Sequence, residues 1–126
     1  MAGETKKKII LIEDDHFLVR ALSLKFAKSN FELIVIENGM EAMDSIRKEM
    51  PQIVFLDIML PHKSGFEILE EMKKDAKLKD IPVLILTNLR QDEEVKHGLG
   101  LGASEYLVKT DVGLDEIVER VNKYLK

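Results

Sequence analysis

Five times along this chain a short apolar run is followed by a segment with helical spacing, and this recurrence constrains the fold more than any other feature. Residues 8–12 (KIILI) are almost continuously apolar, as in a strand buried on both faces. Phe17, Ala21, Leu24 and Lys28 then step at helical intervals, with Leu18, Leu22 and Phe26 widening the apolar side. The second unit pairs a strand over 31–36 with a helix from Asn38 to about Lys48, carried by Met40, Ala42, Met43 and Ile46. The third strand, 53–56 (IVFL), runs into Asp57, then into a loop holding Pro61 and Gly65. Ser64 with Glu67 three residues later has the form of a capping box for the next helix. Pro82 precedes a fourth strand over 83–86, followed by a short helix from Asp92 to about Leu99. A fifth strand at 105–108 and a helix at 114–125, with Ile117, Val118, Val121 and Leu125 on one side, close the series.

Strand–helix alternation of this kind predicts a parallel sheet covered by helices on both faces, joined by right-handed crossovers. The expected fold class is α/β, a flavodoxin-like three-layer (βα)5 arrangement with strand order 2-1-3-4-5. At 126 residues the chain fits one domain, with a core expected over about 7–125. In such sheets the functional crevice lies at the carboxyl ends of the strands, near the switch in strand order. The residues there are therefore the candidates. Glu13, Asp14 and Asp15 follow the first strand, Asp57 the third, Thr87 the fourth and Lys109 the fifth.

Clustered carboxylates repel one another, and a hard divalent cation with oxygen ligands relieves that repulsion; Mg2+ suits it best. A carboxylate can also act as a nucleophile and form an acyl phosphate. A lysine ammonium offers point charge to a phosphoryl oxygen, and a threonine hydroxyl offers a donor. Each residue has a plainer role as well. Asp14 or Asp15 could cap the first helix, Asp57 could form an Asx turn, and a lone lysine is usually solvated. It is their joint occurrence at consecutive strand ends that the plainer roles leave unexplained.

These residues carry a resemblance. The pieces IILIEDD at 9–15, DIMLPHKSG at 57–65, PVLILTN at 82–88 and GASEYLVK at 102–109 together resemble the receiver domain of two-component response regulators, over nearly the whole chain. The resemblance implies that Asp57 is the phosphoacceptor. Asp14 would be a direct Mg2+ ligand, Glu13 would act nearby or through water, and the Met59 backbone carbonyl would be a further ligand. Thr87 and Lys109 would bind the phosphoryl group, and Tyr106 is similar to the family's switch aromatic, which turns inward as the threonine moves. The implied partners are a sensor histidine kinase or phosphotransfer protein upstream, and a downstream protein or output domain meeting the fourth helix, fifth strand and fifth helix. A homodimer formed on phosphorylation is a further expectation of the same kind.

The chain departs from the family at Thr110, where proline usually stands, often after a cis bond. A cis bond before a non-proline residue costs roughly 3 kcal/mol, so either that strain is present or the loop differs. Asn88 is larger than the usual small residue after the threonine, and it predicts an altered rate of dephosphorylation of either sign. The late start of the first helix leaves open whether Asp15 joins the acids.

Other functions are weighed against this one. A haloacid-dehalogenase-type phosphatase would need a second aspartate where Met59 stands, to act as acid and base. A flavin carrier would need a hydroxyl- and glycine-rich loop where EDDHF stands. A degenerate receiver would not keep Glu13, Asp14, Asp57, Thr87 and Lys109 together. The expectation is thus a signalling switch, not an enzyme turning over external substrates.

Composition agrees. The net charge of −4 lacks the basic stripe of a nucleic-acid surface. With no cysteine, disulfides and thiolate chemistry are excluded. No apolar run reaches membrane-span length, and MAGETKKK is not a secretory signal, so a soluble cytoplasmic domain is expected. His16, His62 and His97 are read as surface residues, the methionines as packing, and Gly98, Gly100 and Gly102 as a helix stop.

Overall fold

The computed structural model describes residues 6–125, so the first part of the MAGETKKK lead-in lies outside the described residues. The elements run β1 (Lys7–Ile12), α1 (His16–Phe26), β2 (Phe31–Ile36), a 3-10 turn (Gly39–Glu41), α2 (Ala42–Glu49), β3 (Ile53–Leu56), α3 (Gly65–Lys74), β4 (Val83–Thr87), α4 (Asp92–Gly100), β5 (Glu105–Val108) and α5 (Leu114–Tyr124). Every strand pair is parallel, and the order is β2-β1-β3-β4-β5, as expected.

The alternation of side chains along a strand explains the three layers. Ile10, Ile12, Val54, Leu56, Val83 and Ile85 join α2 and α3 through Met43, Ile46, Ile68, Leu69 and Met72. Ile9, Leu11, Ile53, Phe55, Leu84 and Leu86 join α1 and α5 on the other face, through Leu22, Phe26, Ile117 and Val121. The three inner strands therefore read as unbroken apolar runs because both of their faces are covered.

Several boundaries differ from the sequence reading. The first helix begins at His16 and stops at Phe26, short of Lys28, because Asp15 caps it by accepting from the Phe17 and Leu18 amides at 3.0 and 3.3 Å. Asn38 does not open a long second helix. Its side chain caps the 3-10 turn instead, and α2 starts only at Ala42. The capping box at Ser64 and Glu67 is present as read. The three glycines are not one helix stop. Gly98 and Gly100 lie inside α4, and only Gly102, at φ +110°, occupies the left-handed region where glycine carries no steric cost. No peptide bond is cis among the described residues, so the alternative that holds at Lys109–Thr110 is the different loop. Thr110 there receives the Arg90 guanidinium at 3.4 Å.

Candidate functional site

The ladder hydrogen bonds continue one residue past several strands and so place the site. The Glu13 amide donates to the Ile36 carbonyl at 2.9 Å, and the Asp57 amide donates to Ile12 at 3.0 Å. The Lys109 amide donates to Thr87 at 2.8 Å. Residues far apart in sequence are thereby fixed side by side.

Glu13, Asp14 and Asp57 each bring a carboxylate oxygen within 4.8 Å of the others. Glu13 and Asp57 are buried while Asp14 is exposed. Lys109 bridges the two buried acids. Its Nζ lies 3.0 Å from Asp57 Oδ2 and donates to Glu13 Oε2 at 2.9 Å. Nζ also forms an ion-pair contact with Glu13 Oε1 at 2.8 Å, although this fully buried oxygen accepts no hydrogen bond. Burial pushes the Glu13 carboxyl up, to about 7, and the negative charge of Asp57 adds to the shift while the bond from Lys109 opposes it. Burial also works against the charge on Lys109, but its bonds to Glu13 and Asp57 outweigh this and hold its pKa above the ordinary lysine value.

An unsatisfied buried oxygen within an all-oxygen, acid-rich cluster is the donor chemistry that a hard divalent cation takes. Glu13, Asp14 and Asp57 fit such an ion. Asp15 does not join them: it is exposed, its carboxylate caps α1, and its amide donates to Glu13 Oε2 at 3.1 Å. The plainer role foreseen for Asp57 is also present, since its Oδ1 accepts from the Met59 amide at 3.2 Å in an Asx turn. The turn aims the carboxylate without consuming Oδ2.

Thr87 is fully buried, and its Oγ1 receives the Leu89 amide at 3.5 Å. The Tyr106 hydroxyl donates to the Leu89 carbonyl at 2.7 Å, with its ring half-buried beside α4. Burial raises the Tyr106 pKa, with help from the charges of Glu94 and Asp57. Asn88 is exposed and lines a cavity of about 330 Å3 with Phe17, Leu18, Lys109, Thr110 and Leu114. The histidines are exposed, as read, although His16 meets Glu37 at 2.7 Å and His97 stacks edge-on against Phe66.

Sequence reasoning missed Leu89 and Gly98. Leu89 acts through backbone atoms, which leave no trace in residue type. Gly98 did leave one: a glycine inside a helical pattern costs stability and marks a close approach.

A parallel sheet whose strand ends gather buried acids, a lysine and a threonine is the plan of a phosphorylation-type signalling domain. The chain belongs to the response regulator receiver domain family, whose pattern matches residues 9–122. It is therefore a receiver domain of two-component signalling. It is 35% identical over 104 residues to the probable transcriptional regulator ycf27 of Porphyra purpurea, covering 82% of this chain and 42% of that protein. The chain spans about half the length of the ycf27 regulators it matches. Among solved structures, the BeF3-activated N-terminal receiver domain of Klebsiella pneumoniae RstA is 29% identical, with a TM-score of 0.86, covering 95% of this chain and 99% of that one. The Mn2+-bound form of response regulator Rcp1 is 30% identical, with a TM-score of 0.82, covering 94% of this chain and 93% of that one. No helix among the described residues is long and apolar enough to cross a membrane.

Proposed function

We propose that the chain is a phosphorylation-dependent response regulator in which Asp57 accepts a phosphoryl group from the phosphohistidine of a sensor histidine kinase or phosphotransfer protein. The observation that carries this reading is the shared Lys109: one ammonium bridges two buried carboxylates, leaving an oxygen of the second, Glu13, without a hydrogen bond. Asp57 Oδ2 attacks phosphorus, the bond to the histidine nitrogen breaks, and that nitrogen keeps the electron pair. Lys109 then holds a phosphoryl oxygen as a point charge, and the Thr87 hydroxyl donates to another. Glu13, Asp14, Asp57 and the Met59 carbonyl would hold Mg2+, which when bound offsets the negative charge of the incoming group. The existence of a Mn2+-bound form of the similar regulator Rcp1 supports a divalent cation in this reading.

Tyr106 is the switch aromatic in this reading, tied to Thr87 through the two ends of Leu89. The face it controls is α4, β5 and α5, which would meet a downstream protein, an output domain or a second copy of the chain. The reading takes residues 1–126 as a single receiver domain with its core at about 7–125. It places the protein in the cytoplasm, without direct nucleic-acid binding, and gives it no turnover beyond its own phosphorylation and dephosphorylation.

Incubation with acetyl phosphate and Mg2+, followed by intact mass, tests the proposal. The parent chain gains one phosphoryl group and Asp57→Asn gains none; equal behaviour of the two chains would overturn it. In the same assay, Asn88→Ala changes the phosphoryl half-life, because Asn88 stands at the open side of the site, and equal half-lives would remove Asn88 from the account.

A further inference from the structure

Helix α4 contains two glycines with opposite surroundings, Gly98 within it and Gly100 as its last residue. A Cβ at Gly100 would meet nothing within 4 Å. A Cβ at Gly98 would fall 2.6 Å from Ile85 Cδ1 and 3.1 and 3.3 Å from Cδ2 and Cε2 of the Tyr106 ring. These neighbours cannot yield equally. Ile85 has no exposed surface and sits within the core beneath α2 and α3, so its methyl has no space to retreat into. The Tyr106 ring is half-buried and has an open side. With the methyl hemmed in, the strain of an added Cβ falls also on the ring, which must give by a few tenths of an ångström.

The ring's position matters because its hydroxyl is bonded to the Leu89 carbonyl, while the amide of the same residue reaches Thr87 Oγ1. We propose that Gly98 is a positioning residue: by lacking a side chain it leaves the slot beside α4 in which the Tyr106 ring lies, and so keeps the Tyr106 hydroxyl on the Leu89 carbonyl. This deepens the reading of Tyr106 as the switch and rests on it only for its functional consequence. The slot itself is steric. Glycine at 98 costs helix stability relative to alanine, and here that cost has a specific return, the inward seat of one aromatic ring.

Fluorine NMR of chain labelled with 3-fluorotyrosine tests the slot. The sequence has two tyrosines, so Tyr124→Phe leaves Tyr106 as the sole label. Gly98→Ala moves the Tyr106 resonance from its parent position and raises its solvent isotope shift. Gly100→Ala, at the last residue of α4 where an added Cβ touches nothing, leaves the resonance in place. An unmoved resonance in Gly98→Ala overturns the proposal, and so does an equal movement in Gly100→Ala.

If Gly98→Ala does not fold, the pair Gly98→Ala with Tyr106→Ala decides. Recovery of the fold assigns the clash to the ring, and a chain that stays unfolded overturns the proposal. Addition of beryllium fluoride with Mg2+ separates the two claims. A ring that moves with Gly98→Ala yet ignores beryllium fluoride in both chains supports the slot and sinks the switch reading of Tyr106.

Discussion

The two sides of the site are held by different forces. On the β1–β3 side, Glu13 and Asp57 are like charges, both buried, restrained by one lysine. On the β4–β5 side, Thr87, Leu89 and Tyr106 are uncharged, joined by two hydrogen bonds and the steric slot at Gly98. The first side is electrostatically loaded and responds steeply to any change in charge. The second carries no charge, so rearranging it costs hydrogen bonds and packing but no buried charge. In the proposed reading, a phosphoryl group would add charge where the response is steep, and the geometry would change on the uncharged side.

That contrast can be broken most severely at Lys109. Lys109→Ala leaves two buried carboxylates facing each other and should lower stability by about 3 kcal/mol at pH 8. Urea denaturation measures it, and a loss as small as that of an exposed ion pair would show that the acid side is not loaded.

The next effect is pH-dependent. Burial raises the folded-state value of Glu13 to about 7, above its ordinary value of 4.5. Between these values the folded state binds the proton and the unfolded state does not. The stability contribution is therefore fully present below about 4.5 and is lost as pH rises through about 7. In metal-free buffer with chelator the change should be on the order of 2 kcal/mol, and Glu13→Gln should flatten it. A slope that persists in Glu13→Gln would assign the loading to another group.

On the neutral side, Tyr106→Phe removes one hydrogen bond to the Leu89 carbonyl. Its cost should be about 1 kcal/mol and the same at pH 6 and pH 8; a pH-dependent loss would erase the distinction between the two sides. The smallest effect lies outside the site. Burial and the bond to Glu105 raise the Tyr124 pKa to about 12, from an ordinary value of 10.0. Its stability contribution is thus present below that ordinary value and is lost as pH rises through about 12. Glu105→Gln should lower the midpoint in an absorbance titration and, because Tyr124 is only part-buried, cost less than about 1 kcal/mol at neutral pH.

Much of the architecture was legible because each signal was local. Apolar runs at 9–12, 53–56 and 83–86 marked strands covered on both faces, and the residue after each run marked a site position. Ser64 and Glu67 announced a cap because a capping box is satisfied within four residues. The first helix stops short of Lys28, and its start stayed open in the sequence, since Asp15 could have joined the acids or capped the helix and only its amide partners decide. The glycines at 98, 100 and 102 look alike in sequence. One packs against a core residue and a ring, one faces open space and one takes a left-handed turn.

The sequence by itself determined the alternation of elements, the strand order it implies and the residue types at the strand ends, because periodicity and strand termini are properties of neighbouring residues. Only the tertiary structure decided that Glu13 is buried with an oxygen that accepts no hydrogen bond, that Lys109 serves two acids, and that the Tyr106 ring rests on a missing side chain. Burial and close approach depend on residues distant in the chain, so they come into being only when the sheet and its helices have packed together.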